Sequence, residues 1–144
     1  MHNLHRIIEF RGRAEDYYEG QDPWCYGDLD TSDMYVGINV GRAASTPVEA
    51  ETVGQYVGIE DVTGKRLYEG DVVKMDWGTG NETGVLYFDQ VRCQFRLKNR
   101  YCSRGIQNVD PDDISYTLVG NIFEIPALKD QYFDLYKEPS PYKR

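Results

Sequence analysis

Val91-Arg92-Cys93-Gln94-Phe95-Arg96-Leu97-Lys98 is the stretch on which the fold turns. Apolar Val91, Cys93, Phe95 and Leu97 alternate with polar Arg92, Gln94, Arg96 and Lys98. Successive side chains of a strand point to opposite faces, so this period of two predicts a β-strand with one apolar and one cationic face. The signals on either side are also β-like. Upstream, Leu67-Tyr68-Glu69-Gly70-Asp71-Val72-Val73 leads into a strand ending at Trp77, Gly78-Thr79-Gly80-Asn81 reads as a turn, and residues 85–88 as another strand. Downstream, Asn108-Val109-Asp110-Pro111-Asp112-Asp113 is a turn before a last long strand over residues 114–125. Pro126 then opens a short helix, where its missing N–H costs no hydrogen bond. Leu128, Tyr132, Leu135 and Tyr136 share one face of that helix.

Toward the N-terminus, residues 53–59 read as a strand and Asp61-Val62-Thr63-Gly64-Lys65 as a hairpin loop. Ile7, Ile8 and Phe10 before Arg11-Gly12, Trp24-Cys25-Tyr26 before Gly27, and Met34, Val36, Ile38 and Val40 in alternation form a β-like N-terminal lobe. Residues 42–50, small and weakly patterned, read as a linker. The expected organisation is an N-terminal β lobe (5–45), a β-rich core with a C-terminal helix (51–136) and a flexible tail (137–144). The expected fold class is mainly β: antiparallel strands in a small, partly open, barrel-like core.

Composition narrows the function classes. The 144 residues hold 16 Lys and Arg against 24 Asp and Glu, a net charge of −8. Coating nucleic acid by bulk charge is disfavoured, because an acidic protein repels phosphate. No apolar run reaches the ~20 residues of a membrane-spanning helix. The first residues, Met1-His2-Asn3-Leu4-His5-Arg6, lack an apolar export signal, so a cytoplasmic location in a bacterial host is expected. Cys25, Cys93 and Cys102 are then expected as reduced thiols. The charge is uneven. Residues 14–41 carry Glu15, Asp16, Glu19, Asp22, Asp28, Asp30 and Asp33 and no Lys or Arg, whereas residues 91–105 carry Arg92, Arg96, Lys98, Arg100 and Arg104 and no acid.

Thr52-Val53-Gly54-Gln55-Tyr56-Val57-Gly58-Ile59, with residues 61–73, resembles the YopX family of phage and prophage proteins. Ile8-Glu9-Phe10-Arg11 resembles the family's opening strand, Trp24 with Gly27 its aromatic-x-x-Gly element, and Leu118-Val119-Gly120-Asn121-Ile122-Phe123-Glu124 with Pro126 and Leu128 its closing strand. Residues 76–113 align poorly. The resemblance implies a β-rich fold, a mobile-element origin and self-association, and it implies no activity or site residue. Read physically, the matched residues are structural. The glycines suit turns and close backbone approach, Tyr56, Tyr68 and Val72 suit cross-strand packing, and Gly70-Asp71 is a turn signal.

No catalytic constellation emerges. The two histidines, His2 and His5, stand at the chain start, away from any Cys or Ser they could activate. Gly78-Thr79-Gly80-Asn81 lacks the Lys-Ser/Thr ending of a phosphate-binding loop. Asp28-Leu29-Asp30-Thr31-Ser32-Asp33 lacks the central Gly and distal Glu of a calcium loop and reads as an acidic turn. The expectation is therefore a non-enzymatic protein with no cofactor and no metal, self-associating through its complementary acidic and basic segments. The alternative is a module binding single-stranded DNA or RNA through Arg92, Arg96, Lys98 and Arg100, with Tyr87 and Tyr101 as stacking surfaces.

Overall fold

The computed structural model describes residues 6–32 and 35–138. The chain divides into two compact units between Tyr56 and Val57. All strand pairing is antiparallel, in two sheets, and neither closes into a barrel. His2, His5, Asp33, Met34 and residues 139–144 of the expected tail lie outside the described residues.

In the first unit, β1 (Phe10–Arg13), β2 (Trp24–Thr31), β3 (Val36–Asn39) and β4 (Thr46–Pro47) form a meander. Phe10 faces Gly27 and Arg13 faces Trp24 across the first pair. Gly27 belongs to the aromatic-x-x-Gly element for a packing reason: a Cβ there would collide with the Asn39 carbonyl of β3. Residues 42–50, expected as a linker, are stitched into the unit instead. They contain β4, Val48 bridges to Ala14, and the Glu49 carboxylate holds the Arg13 guanidinium at 2.7 Å. Val48 is buried at 3% exposure and rests on Gly12, where any larger residue would clash. Thr52 closes the unit, its hydroxyl accepting the Arg13 N–H at 2.9 Å and donating to the Glu49 carbonyl at 2.6 Å. Strand β5 (Gly54–Glu60) begins here, with Gly54 and Gln55 pairing with β1.

The second unit takes up the rest of β5, which pairs with β6 (Arg66–Tyr68). The five-residue loop between them is organised by Asp61, whose carboxylate accepts the Thr63 and Lys65 N–H groups at 2.9 Å each. Five strands follow in the order β10-β9-β8-β7-β11: β7 (Asp71–Asp76), β8 (Asn81–Asp89), β9 (Gln94–Lys98), β10 (Ser103–Gly105) and β11 (Ser115–Asn121). Residues 122–125, expected as strand, form the turn into helix α1 (Pro126–Lys137), which starts at the proline as expected.

Adjacent residues of β7 and β8 feed opposite sides of this sheet. Val73 and Leu86 join Val57, Ile59, Leu67, Met75, Leu97 and Tyr116 in one apolar cluster. Val72 and Val85 join Ile122 and Tyr132 in another, against which Leu128, Leu135 and Tyr136 of α1 pack. The helix face expected from spacing is thus the buried one. Gly70 makes the tight approach to β7, with a φ of 90° and the Phe123 ring over it, so a Cβ would come within 2.7 Å of that ring. Asp71 beside it is 2% exposed and accepts the Tyr68 N–H at 2.8 Å, a turn-forming role.

Candidate interaction site

The basic segment is built around an acid that precedes it. Asp89 ends β8 opposite Gln94, and its side chain is fully buried. One carboxylate oxygen accepts the N–H groups of Val91 and Arg92, at 3.0 and 3.1 Å. The other takes the Arg92 guanidinium at 2.6 Å and stands 3.9 Å from Arg96 Nε. These bonds close a turn over residues 90–93, with Cys93 left-handed at a φ of 54°. The strand therefore starts at Gln94, and Arg92, expected on its cationic face, sits in the turn. An Asp that binds the N–H groups two and three residues on competes with strand pairing, which explains the late start.

From Gln94 onward the expected alternation holds. Arg96 pairs with Tyr87 across the strands and Lys98 with Val85. Arg96 Nε donates to Ser103 Oγ at 3.0 Å and its Nη2 to the Ser103 carbonyl at 3.1 Å, while Tyr87 Oη and Ser103 Oγ share a 2.7 Å hydrogen bond. Lys98 is buried; its Nζ lies 4.3 Å from the Tyr87 ring centre and donates to the Glu138 carbonyl at 3.3 Å. Burial pushes the Lys98 amine below its usual pKa, partly offset by the charges of Glu138 and Asp89. One buried carboxylate thus draws Arg92 and Arg96 inward, while Lys98 is held by the Tyr87 ring and the Glu138 carbonyl. Sequence reasoning missed Asp89, although an Asp just before a change of pattern is a turn signal in its own right.

Arg100 stands apart, exposed in the β9–β10 turn with its guanidinium 5.5 Å from the ring of Tyr101, which is 83% exposed. Asn99 holds this turn by accepting the N–H groups of Tyr101 and Cys102. Beside it, at the outer strand β10, a cleft of about 470 Å³ is lined by Met75, Trp77, Arg96, Ser103, Arg104 and Ile114 among others. Arg104 stacks 4.8 Å over the Trp77 ring, with its Nε 3.8 Å from the Glu82 carboxylate. The lining is partly apolar, and of its two arginines Arg104 is the more exposed, whereas the Arg96 guanidinium is held by Ser103 and Gln94. Such a surface favours a partner with both an aromatic ring and a carboxylate.

The acidic segment faces water. Glu15, Asp16, Glu19, Asp22, Asp28 and Asp30 are all exposed. The loop between β1 and β2 is pinned at its base by the Ala14 N–H on the Pro23 carbonyl at 2.8 Å. It presents Tyr17 and Tyr18 at 52% and 84% exposure. Cys25, at the foot of this loop, has its thiol pKa pushed up by burial and by the neighbouring Asp22 charge, with a Thr46 hydrogen bond opposing. A thiol shifted that way is a poor nucleophile. Asp30 accepts a hydrogen bond from Ser45 at 2.6 Å. Among the described residues, no group of three or more His, Cys, Asp or Glu side chains converges as a metal site.

The sequence profile of the YopX protein family matches residues 9–129. The chain belongs to that family. The match also runs through residues 76–113, where the motifs alone showed little. None of the curated proteins compared with the chain matches it. Membership in the YopX family fixes kinship and leaves activity to be argued from the surface.

Proposed function

We propose that this YopX-family chain is a non-enzymatic interaction module of phage or prophage origin that associates with itself in the host cytoplasm. The observation that carries this reading is the pairing of opposite surfaces in one polypeptide. The β1–β2 loop of the first unit exposes four carboxylates (Glu15, Asp16, Glu19 and Asp22) and two tyrosines, while the second unit opens a cationic, aromatic cleft. Charge complementarity of this kind steers association and suppresses wrong partners, and salt weakens it. Static light scattering of the purified chain at ~0.1 M and ~1 M salt, where the screening length falls from roughly 10 to 3 Å, tests it. The expected result is an oligomer at low salt that shifts toward monomer at high salt. A monomer at both, across micromolar concentrations, overturns the proposal.

Exposed Arg100 and Tyr101 in the β9–β10 turn favour a second reading, binding of single-stranded DNA or RNA. Arg92 and Arg96 would join them only by leaving the Asp89 and Ser103 oxygens, and the Lys98 ammonium is turned onto Tyr87. Fluorescence anisotropy with labelled oligonucleotides at ~50 mM salt, where phosphate contacts are strongest, decides this. No rise in anisotropy removes the reading.

A further inference from the structure

We infer that the acidic loop of residues 15–22 in one copy docks into the Trp77–Arg104 cleft of a second copy. The inference rests on the self-association reading above and names the surfaces that meet.

The cleft is built for a particular chemistry. Met75 and Ile114 supply apolar lining, the Trp77 indole supplies a flat wall, and Arg104 brings the exposed guanidinium group, while that of Arg96 is held by Ser103 and Gln94. Its volume, about 470 Å³, falls within the ~300–1,000 Å³ typical of ligand clefts. The Arg104 side chain is 45% exposed and only loosely held by Glu82 at 3.8 Å, so a better-placed carboxylate can capture it. The cleft also adjoins β10, the outermost strand of its sheet, whose outer backbone groups invite an added chain segment.

The loop offers the matching groups. Tyr18 is 84% exposed and Tyr17 52%, on a segment with exposed Glu15, Asp16, Glu19 and Asp22 and no Lys or Arg. Tyrosine is an effective interface anchor because it buries a large rigid ring at small entropic cost and keeps a polar tip. Placed in the cleft, the ring of Tyr18 meets Trp77 and the apolar lining, and a flanking carboxylate meets Arg104, while Arg96 stays on its Ser103 and Gln94 oxygens. The tip of the loop is tied by the Tyr18 N–H on Gln21 Oε1 and the Gln21 N–H on the Tyr18 carbonyl, bonds within the loop itself, so docking need not break the β1–β2 pairing. The two surfaces are different, so the contact is heterologous, and every copy carries one of each.

Charge exchange between two full-length variants tests this. Arg104→Glu reverses the cleft, and Asp16→Lys with Glu19→Lys reverses the loop. Light scattering and sedimentation equilibrium at ~0.1 M salt should show each variant alone associating at least tenfold more weakly than wild type. An equimolar mixture should regain wild-type association, since the reversed loop then faces the reversed cleft and each unchanged surface finds its unchanged partner. Tyr18→Ala, a neutral change at an exposed position, should also weaken association several-fold. If wild type assembles and all three variants assemble equally well, these surfaces are wrong although self-association stands. Loss in both charge variants without recovery in the mixture also overturns the pairing. Wild type that is monomeric at every salt concentration sinks the self-association reading itself.

Discussion

Both oxygens of Asp89 are engaged with no access to water: one accepts two N–H groups of its own turn, and the other holds the Arg92 guanidinium at 2.6 Å. A buried carboxylate so placed serves two roles, closing the hairpin and neutralising Arg92 and Arg96, which would otherwise repel one another at the start of β9. Asp89→Asn keeps the volume and removes the charge, leaving Arg92, Arg96 and buried Lys98 together. Removing one partner of a buried pair costs roughly 3–5 kcal/mol, because the remaining charge stays desolvated. Arg92 is only partly buried, so the low end, about 3 kcal/mol, is expected in urea denaturation. In an Arg92→Ala background the same change should cost less, since the two residues share one interaction. Equal losses in both backgrounds would mean that the Arg92 ion pair contributes nothing to what Asp89 does.

At the scale of elements, the β5–β6 hairpin offers a pH test. Partial burial alone would raise the Asp61 pKa, yet the hydrogen bonds from Thr63 and Lys65 and the Lys65 charge outweigh it and hold the carboxyl below its usual range. A carboxyl with a depressed folded pKa stabilises the fold above its unfolded pKa, ~3.9, and that contribution fades as pH falls through the folded value. Asp61→Asn should therefore lower stability at neutral pH and flatten the acid limb of the stability curve below ~pH 4. Parallel acid limbs for the two proteins would contradict this. The same loop shows why some elements were legible in the sequence. Asp61 and Gly64 encode their turn locally, as Pro126 encodes the start of α1, and alternation encodes residues 94–98. Residues 42–50 were not legible, because β4 is two residues long and is defined by long-range partners, Val36, Ile38 and Ala14. At the candidate site the cations were legible as a pattern. The cleft was not, because Trp77 and Arg104 meet only through sheet order, and Asp89 lay just outside the stretch that the charge pattern marked out.

Across the whole molecule, apolar burial is divided unevenly. Both apolar clusters draw only on residues from Val57 onward, whereas the buried apolar side chains of the first unit are Ala14, Ile38, Val48 and Tyr56. At ~25 cal/mol per Å² of buried apolar surface, the second unit holds most of the hydrophobic stabilisation available to the chain. A fragment of residues 54–138 retains both clusters and all pairing within the five-stranded sheet. It gives up the Phe10–Gln55 and Arg11–Gly54 pairs and the Tyr56 N–H bond to the Glu9 carbonyl. The fragment should therefore fold alone, with dispersed amide resonances and a cooperative urea transition. Residues 6–56 alone should not, because a chain that short buries too little surface to offset its conformational entropy. A non-cooperative 54–138 fragment would mean that the two apolar clusters and the five-stranded sheet are not enough to fold by themselves. A folded 54–138 fragment also isolates the cleft from the acidic loop, so it should stay monomeric on its own and yet bind the full-length chain.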